Sequence, residues 1–171
     1  MNVLLTGQSG AGKSALIQRV LSEYSRDARG FVTQRIRSPE GERDGVFLFD
    51  MRDRARLCTA QNMAGEWNGR RMVSVPQTFE TLGVQALTFE GAPELIVMDE
   101  LGILEEGCQR FQSSVKGCLD AETDVLGVIK AQPGAFLDEI RARSDVHIIR
   151  VDEKNRDQAY QEITRLLARS T

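Results

Sequence analysis

Two segments of the sequence carry residue types and spacings that do chemistry. Gly7-Gln8-Ser9-Gly10-Ala11-Gly12-Lys13-Ser14 satisfies the pattern G-x-x-x-x-G-K-[ST] at every position, and Leu95-Ile96-Val97-Met98-Asp99-Glu100 ends an apolar run in two adjacent carboxylates. In the first segment the glycines let the backbone close around an anion, so that the amides of residues 10–14 point at phosphate oxygens with a helix N-terminus behind them. Lys13 then reaches the β and γ phosphates, and the Ser14 hydroxyl completes the shell of a Mg²⁺ ion. In the second segment Asp99 stands at a strand tip, where it accepts a metal-bound water, and Glu100 faces the γ-phosphate side as the base that orients and deprotonates an attacking water. An Asp-Glu pair alone is a weak signal; beside a complete phosphate loop it becomes the other half of one site. The expected set is therefore Lys13 and Glu100 for catalysis, Ser14 and Asp99 for metal, and Gly7 to Ser14 with Ala15 for the nucleotide.

The elements around these segments are those such a site requires. Val3-Leu4-Leu5 leads into the loop as a buried strand, and Leu16, Ile17, Val20 and Leu21 follow it at helical spacing. Asp27-Ala28-Arg29-Gly30 reads as a turn, after which Phe31–Arg37 and Val46–Phe49 read as strands of an antiparallel hairpin joined by a turn at Ser38–Glu42. A strand at Arg56–Thr59, a polar loop at Gln61–Gly69 and a strand at Arg71–Val75 complete a β-rich insertion spanning about residues 30–75. From Gln77 the period becomes helical through Phe79, Leu82, Ala86 and Leu87. Leu95–Met98 is then a central parallel strand. A helix carrying Phe111, Val115, Cys118 and Leu119 follows, then a strand at Val125–Ile129. A helix opening at Pro133, a strand at Val146–Ile149 and a final helix with Asn155 and Gln158 as its capping pair close the chain. Alternating strands and helices specify an α/β fold of three layers, α/β/α, with ligands at the carboxyl ends of the strands.

Composition narrows the partners. The 171 residues make a single domain, 1–171, with 41% hydrophobic and 27% charged residues, as in an ordinary soluble globule. A net charge of −3 gives no electrostatic footprint for nucleic acid or for an anionic membrane. Cys58, Cys108 and Cys118 are odd in number and show no C-x-x-C pairing, so free buried thiols are expected in place of a disulfide or zinc framework. With no leader and no apolar run of membrane-spanning length, the expected location is the cytoplasm.

Beyond these features, the chain resembles the small P-loop nucleoside-triphosphatase family of thermophiles and animals, called the cancer-related NTPase in the latter. The resemblance rests on residues 7–14, on Gly30-Phe31-Val32-Thr33 with Gly41-Glu42-Arg43-Asp44-Gly45, on Asp99-Glu100-Leu101-Gly102-Ile103-Leu104-Glu105, and on Asn155-Arg156-Asp157. It implies a P-loop fold with a mostly parallel, RecA-like sheet and slow Mg²⁺-dependent hydrolysis of several nucleoside triphosphates, ATP and GTP among them, to diphosphate and phosphate. The chain departs from the family pattern at Ala15, which removes a hydroxyl contact to the α-phosphate, and at Arg35, Arg71 and Leu104. Lys13, Ser14, Asp99 and Glu100 all keep the pattern.

Several further residues are open between two roles. Asn155 and Arg156 follow the last strand, where a nucleotide base can rest, while helix capping explains Asn155 equally well. Glu105 reads either as a support for Glu100 or as a solvated loop acid. Arg35, Arg37, Arg43, Arg141 and Arg143 are sources of a charge-stabilising finger or simply surface arginines. His147 reads as structural, and Trp67 as a contact surface, a lid or a loop anchor. Two functions compete with triphosphate hydrolysis: a small-molecule kinase on the same scaffold, and a nucleotide-controlled adaptor that docks a protein partner.

Overall fold

The structure, a computed structural model, describes residues 1–24, 27–37 and 44–168. The turn expected at Ser38–Glu42 and the candidate Arg43 lie outside the described residues. Strand β1 (Asn2–Thr6) enters the phosphate loop, and α1 (Lys13–Tyr24) leaves it. Successive side chains of a strand point to opposite faces, and β1 shows it: Leu4 packs with Phe31, Met98 and Phe111, while Val3 and Leu5 pack with Ile17, Val20 and Ile163 on the other side. The same division runs through β6 (Leu95–Leu101) and β7 (Val125–Ile129), which explains why their sequences are continuous apolar runs.

Two layers of helices supply the cover. On one face lie α1 and α5 (Arg156–Leu167); on the other lie α2 (76–86), α3 (Gln109–Asp120) and α4 (Ala135–Arg141). Within α2 the turn Phe79–Gly83 is widened to a π-helix, and a Cβ at Gly83 would stand 2.7 Å from the Phe111 ring, so the glycine admits the aromatic that packs α2 on α3. Each fully buried Leu, Ile, Val or Phe of these two clusters contributes about 1.5–3 kcal/mol through removal from water.

Among the described residues, one sheet holds eight strands. With β2 (Ala28–Ile36), β3 (Gly45–Asp50), β4 (Met63–Trp67), β5 (Met72–Ser74) and β8 (Val146–Arg150), the order is β5-β4-β3-β2-β6-β7-β1-β8. The β2/β6, β6/β7, β7/β1 and β1/β8 ladders are parallel, and the β2/β3, β3/β4 and β4/β5 ladders antiparallel. The expected β2–β3 hairpin pairing is present from Phe31↔Asp50 to Ile36↔Gly45.

Four local expectations are corrected. Residues 28–30 are not a turn but the start of β2, which runs parallel to β6 in the core. Gly30 has φ +122° and a Cβ there would stand 2.0 Å from the Val97 carbonyl oxygen, so this glycine permits close strand approach instead of marking a bend. Arg56–Thr59 forms no strand, because the Asp53 carboxylate captures the amides of Ala55 and Arg56 in turns. Conversely, the polar stretch 61–69 contains β4, which lacks clean alternation and is recruited by ladders on both sides. The helix expected from Pro133 begins at Ala135.

Candidate functional site

Because β6, β7, β1 and β8 are parallel neighbours, their carboxyl ends share one edge of the sheet and carry Asp99-Glu100, Lys130, the phosphate loop and Val151 in that order. The loop is fixed by backbone contacts. Gly7, at φ +142°, lies so close to the chain after β8 that a Cβ would stand 2.2 Å from the Val151 carbonyl oxygen. At Gly12, φ +93°, a Cβ would stand 2.9 Å from Arg156 Nε, which donates to the Ala11 carbonyl at 2.8 Å. The Ala11 amide donates to the Gln8 carbonyl at 3.2 Å, closing the turn. Lys13, only 9% exposed, donates from Nζ to the carbonyls of Gly7 at 3.0 Å and Gln8 at 2.8 Å. Ser9 and Gly10 are exposed at the crest of the loop, and Ser14 and Ala15 are exposed on the first turn of α1.

The acid end meets this loop directly. Asp99 is 5% exposed and its carboxyl lies beside the Ser14 hydroxyl. Burial pushes the Asp99 pKa up to about 6, Glu100 adds to the rise, and the Ser14 hydroxyl with the positive charges of Lys13 and Arg56 opposes it. Glu100 turns the other way: its amide donates to Thr33 Oγ1 at 3.2 Å, and its carboxylate pairs with Lys130 Nζ at 2.8 Å. Beneath this pair lies Glu105, 2% exposed, with its carboxylate accepting the Gly102 amide at 3.0 Å. Burial raises its pKa to about 7 against the pull of that amide and of Lys130. Glu105 is thus a buried neighbour of the acid pair, not a solvated loop residue.

The donor pair of one hydroxyl and one buried carboxylate, both hard oxygens, fits a divalent cation that takes its remaining ligands from phosphate and water. Among the described residues no group of three or more His, Cys, Asp or Glu side chains could hold a metal ion.

A sequence model described as NTPase matches residues 2–164. The chain belongs to this NTPase family. Nucleoside-triphosphatase THEP1 of Thermotoga sp. (strain RQ2) is 31% identical over 170 residues, covering 98% of this chain and 95% of the relative. The cancer-related nucleoside-triphosphatase homolog of Bos taurus is 33% identical over 180 residues, covering 95% and 94%. The crystal structure of THEP1 from the hyperthermophile Aquifex aeolicus shares the fold, with TM-score 0.73 and 22% identity, covering 98% of this chain and 99% of that one. Membership makes the chain an enzyme of the nucleoside-triphosphatase class.

Against the family pattern, the other sequence-derived residues divide sharply. Arg156 comes to the loop, as its bond to Ala11 shows. Asn155 does not cap α5: its side chain accepts from the Asp152 amide at 2.9 Å and donates to the Arg150 carbonyl at 2.7 Å, pinning the turn before the helix. Arg35 pairs with Asp44 at 3.6 Å and lies over Trp67. Arg143 is bound by Asp120 and Asp145 at the opposite edge of the sheet, where it lines a cavity of about 650 Å³ with Asn2 and Val146. Arg141 grips the carbonyls of Lys130 and Gln132. His147 is exposed and bonded to Glu162 at 2.9 Å. Two charged residues that sequence reasoning passed over bear on the site instead. Arg56 acts on Asp99 through its charge, and Lys130 ends β7 between the two motif strands. The signal for Lys130 was present as a lone cation directly after an apolar parallel strand.

Proposed function

We propose that this enzyme hydrolyses nucleoside triphosphates, ATP and GTP among them, to nucleoside diphosphate and phosphate with Mg²⁺ as cofactor. The observation that carries the reading is the approach of the Ser14 hydroxyl and Lys13 to the buried Asp99 carboxylate, which unites two segments 85 residues apart at one point. The amides of Gly7 to Ser14 receive the phosphate tail, Lys13 neutralises its β and γ oxygens, and Arg156 braces the loop from behind. Ser14 and Asp99 would hold the magnesium ion, which when bound supplies positive charge to the leaving diphosphate. Glu100 accepts the proton of a water as the water oxygen bonds to the γ-phosphorus and the bond from that phosphorus to the β–γ bridging oxygen breaks. In this reading residues 1–171 act as one domain on free nucleotides in the cytoplasm, without nucleic acid or membrane. Among the described residues, no helix is long and apolar enough to cross a membrane.

The test is phosphate release from ATP and GTP with Mg²⁺ and no acceptor. Steady release supports hydrolysis; release that begins only on adding a small hydroxyl compound overturns it in favour of a kinase. Glu100→Gln is expected to retain nucleotide while turnover falls, and unchanged turnover removes Glu100 as the base.

A further inference from the structure

Lys130 has no part in the proposed hydrolysis, yet its backbone is held firmly at the acid tip. Strand β7 separates β1 from β6. Neighbouring strands lie about 4.8 Å apart, so the tips that carry the phosphate loop and Asp99 stand about 10 Å from each other with Lys130 between them. Its backbone is clamped on both sides, since its amide donates to the Leu101 carbonyl at 2.9 Å and its carbonyl receives the Arg141 guanidinium. Its stem runs over Gly102, where a Cβ would come within 3.2 Å of Lys130 Cδ, so the glycine leaves the channel for it. The ammonium at the end of that stem is 2.8 Å from Glu100, and Glu105 lies buried nearby. The side chain keeps 38% of its surface exposed, so backbone anchorage is combined with an accessible charge on a flexible stem.

We propose that Lys130 is a second lysine for the terminal phosphate: it exchanges Glu100 for a γ-phosphate oxygen when a triphosphate binds, and thereby releases Glu100 to the attacking water. The inference deepens the hydrolase reading and rests on it. Two consequences follow from one exchange. Triphosphate is distinguished from diphosphate, because only the former offers an oxygen at this strand tip. The base is also held in an ion pair until the substrate that needs it has arrived.

Binding separates this role from a merely structural one. Affinities for Mg²⁺ with a β,γ-imido triphosphate and for Mg²⁺ with the diphosphate are measured for the wild type, Lys130→Met, Lys130→Arg and Glu100→Gln. Methionine keeps the stem over Gly102 and removes the charge. Expected for Lys130→Met is a loss of about tenfold or more in triphosphate affinity, with diphosphate affinity held within about twofold. Lys130→Arg regains part of the loss. Glu100→Gln moves in the opposite direction, binding the triphosphate at least as tightly as wild type because its partner lysine is freed, although both Lys130→Met and Glu100→Gln slow turnover. Should Lys130→Met bind poorly overall through misfolding, the double variant Lys130→Met with Glu105→Gln, which lowers the residual negative charge, keeps the ratio measurable. An unchanged triphosphate-to-diphosphate ratio in either lysine-to-methionine protein overturns the proposal. Phosphate release by the wild type tests the underlying reading separately: without release the hydrolase falls, while the affinity ratio still decides Lys130.

Discussion

Around Gly7–Ser14 the hydrogen bonds end on backbone carbonyls of the loop, whereas Asp99–Glu105 gathers three carboxylates, one of them in an ion pair. The loop is shaped by glycines that allow approach to Val151 and Arg156 and by carbonyls that receive Lys13. The acid tip gathers Asp99, Glu100 and Glu105 close together, two of them with raised pKa values, and balances them with Ser14, Lys130 and more distant cations. The difference teaches how the work divides. A backbone cradle is rigid and tolerates almost no added atom, while a cluster of like charges is poised to welcome positive charge and to move protons.

Substitutions on each side sharpen that contrast or break it. The largest effect is expected at Lys13→Ala, with a fall in phosphate release of about a thousandfold, since the buried cation bonded to the Gly7 and Gln8 carbonyls is lost. Next, Glu100→Gln should lower turnover by about a hundredfold or more, while binding of the imido triphosphate is kept. If binding collapses as well, the acid tip is part of the cradle and the contrast fails. Gly7→Ala should lower folding stability by about 3 kcal/mol in denaturant unfolding, because its Cβ meets a carbonyl that has no room to retreat.

Glu105→Gln tests the electrostatic side by itself. The folded pKa of Glu105, about 7, lies above its ordinary value of 4.5, so the folded protein holds this proton more tightly than the unfolded chain. The stability it lends is full below pH 4.5 and is lost as pH rises through about 7. Unfolding curves at pH 5 and pH 8 should therefore differ less in Glu105→Gln than in the wild type; an equal difference would show that burial costs Glu105 nothing. The smallest effect belongs to Arg156→Ala, which removes one hydrogen bond to the loop and should cost about 1 kcal/mol of stability by thermal unfolding, with weaker nucleotide binding.

The same contrast governs what could be read from residues alone. Backbone shape leaves its mark as glycine at set intervals, so residues 7–14 were legible in full, and the apolar runs at 95–98 and 125–129 placed the parallel strands. Gly30 shows the limit of that signal, because a glycine that admits a neighbouring strand looks the same in sequence as one that makes a turn. Side-chain pairs leave no such mark. The Lys130–Glu100 ion pair joins positions 30 residues apart, and the Arg156–Ala11 bond positions 145 apart, so neither has a local spacing to betray it. Burial of Glu105 depends likewise on how the loop after β6 folds back beneath its own strand. Strand β4 escaped for a related reason, since its ladder partners, not its own alternation, make it a strand.

One bond crosses from the purely antiparallel strands β4 and β5 to the acid tip: the Ser74 hydroxyl donates to the Leu104 carbonyl. Leu104 also lies against Gly65, where an added methyl would strike its Cδ1 at 2.9 Å. These strands are therefore a buttress for the segment after β6. Pruning the chain to its five parallel strands would unfasten the segment that follows Asp99 and Glu100.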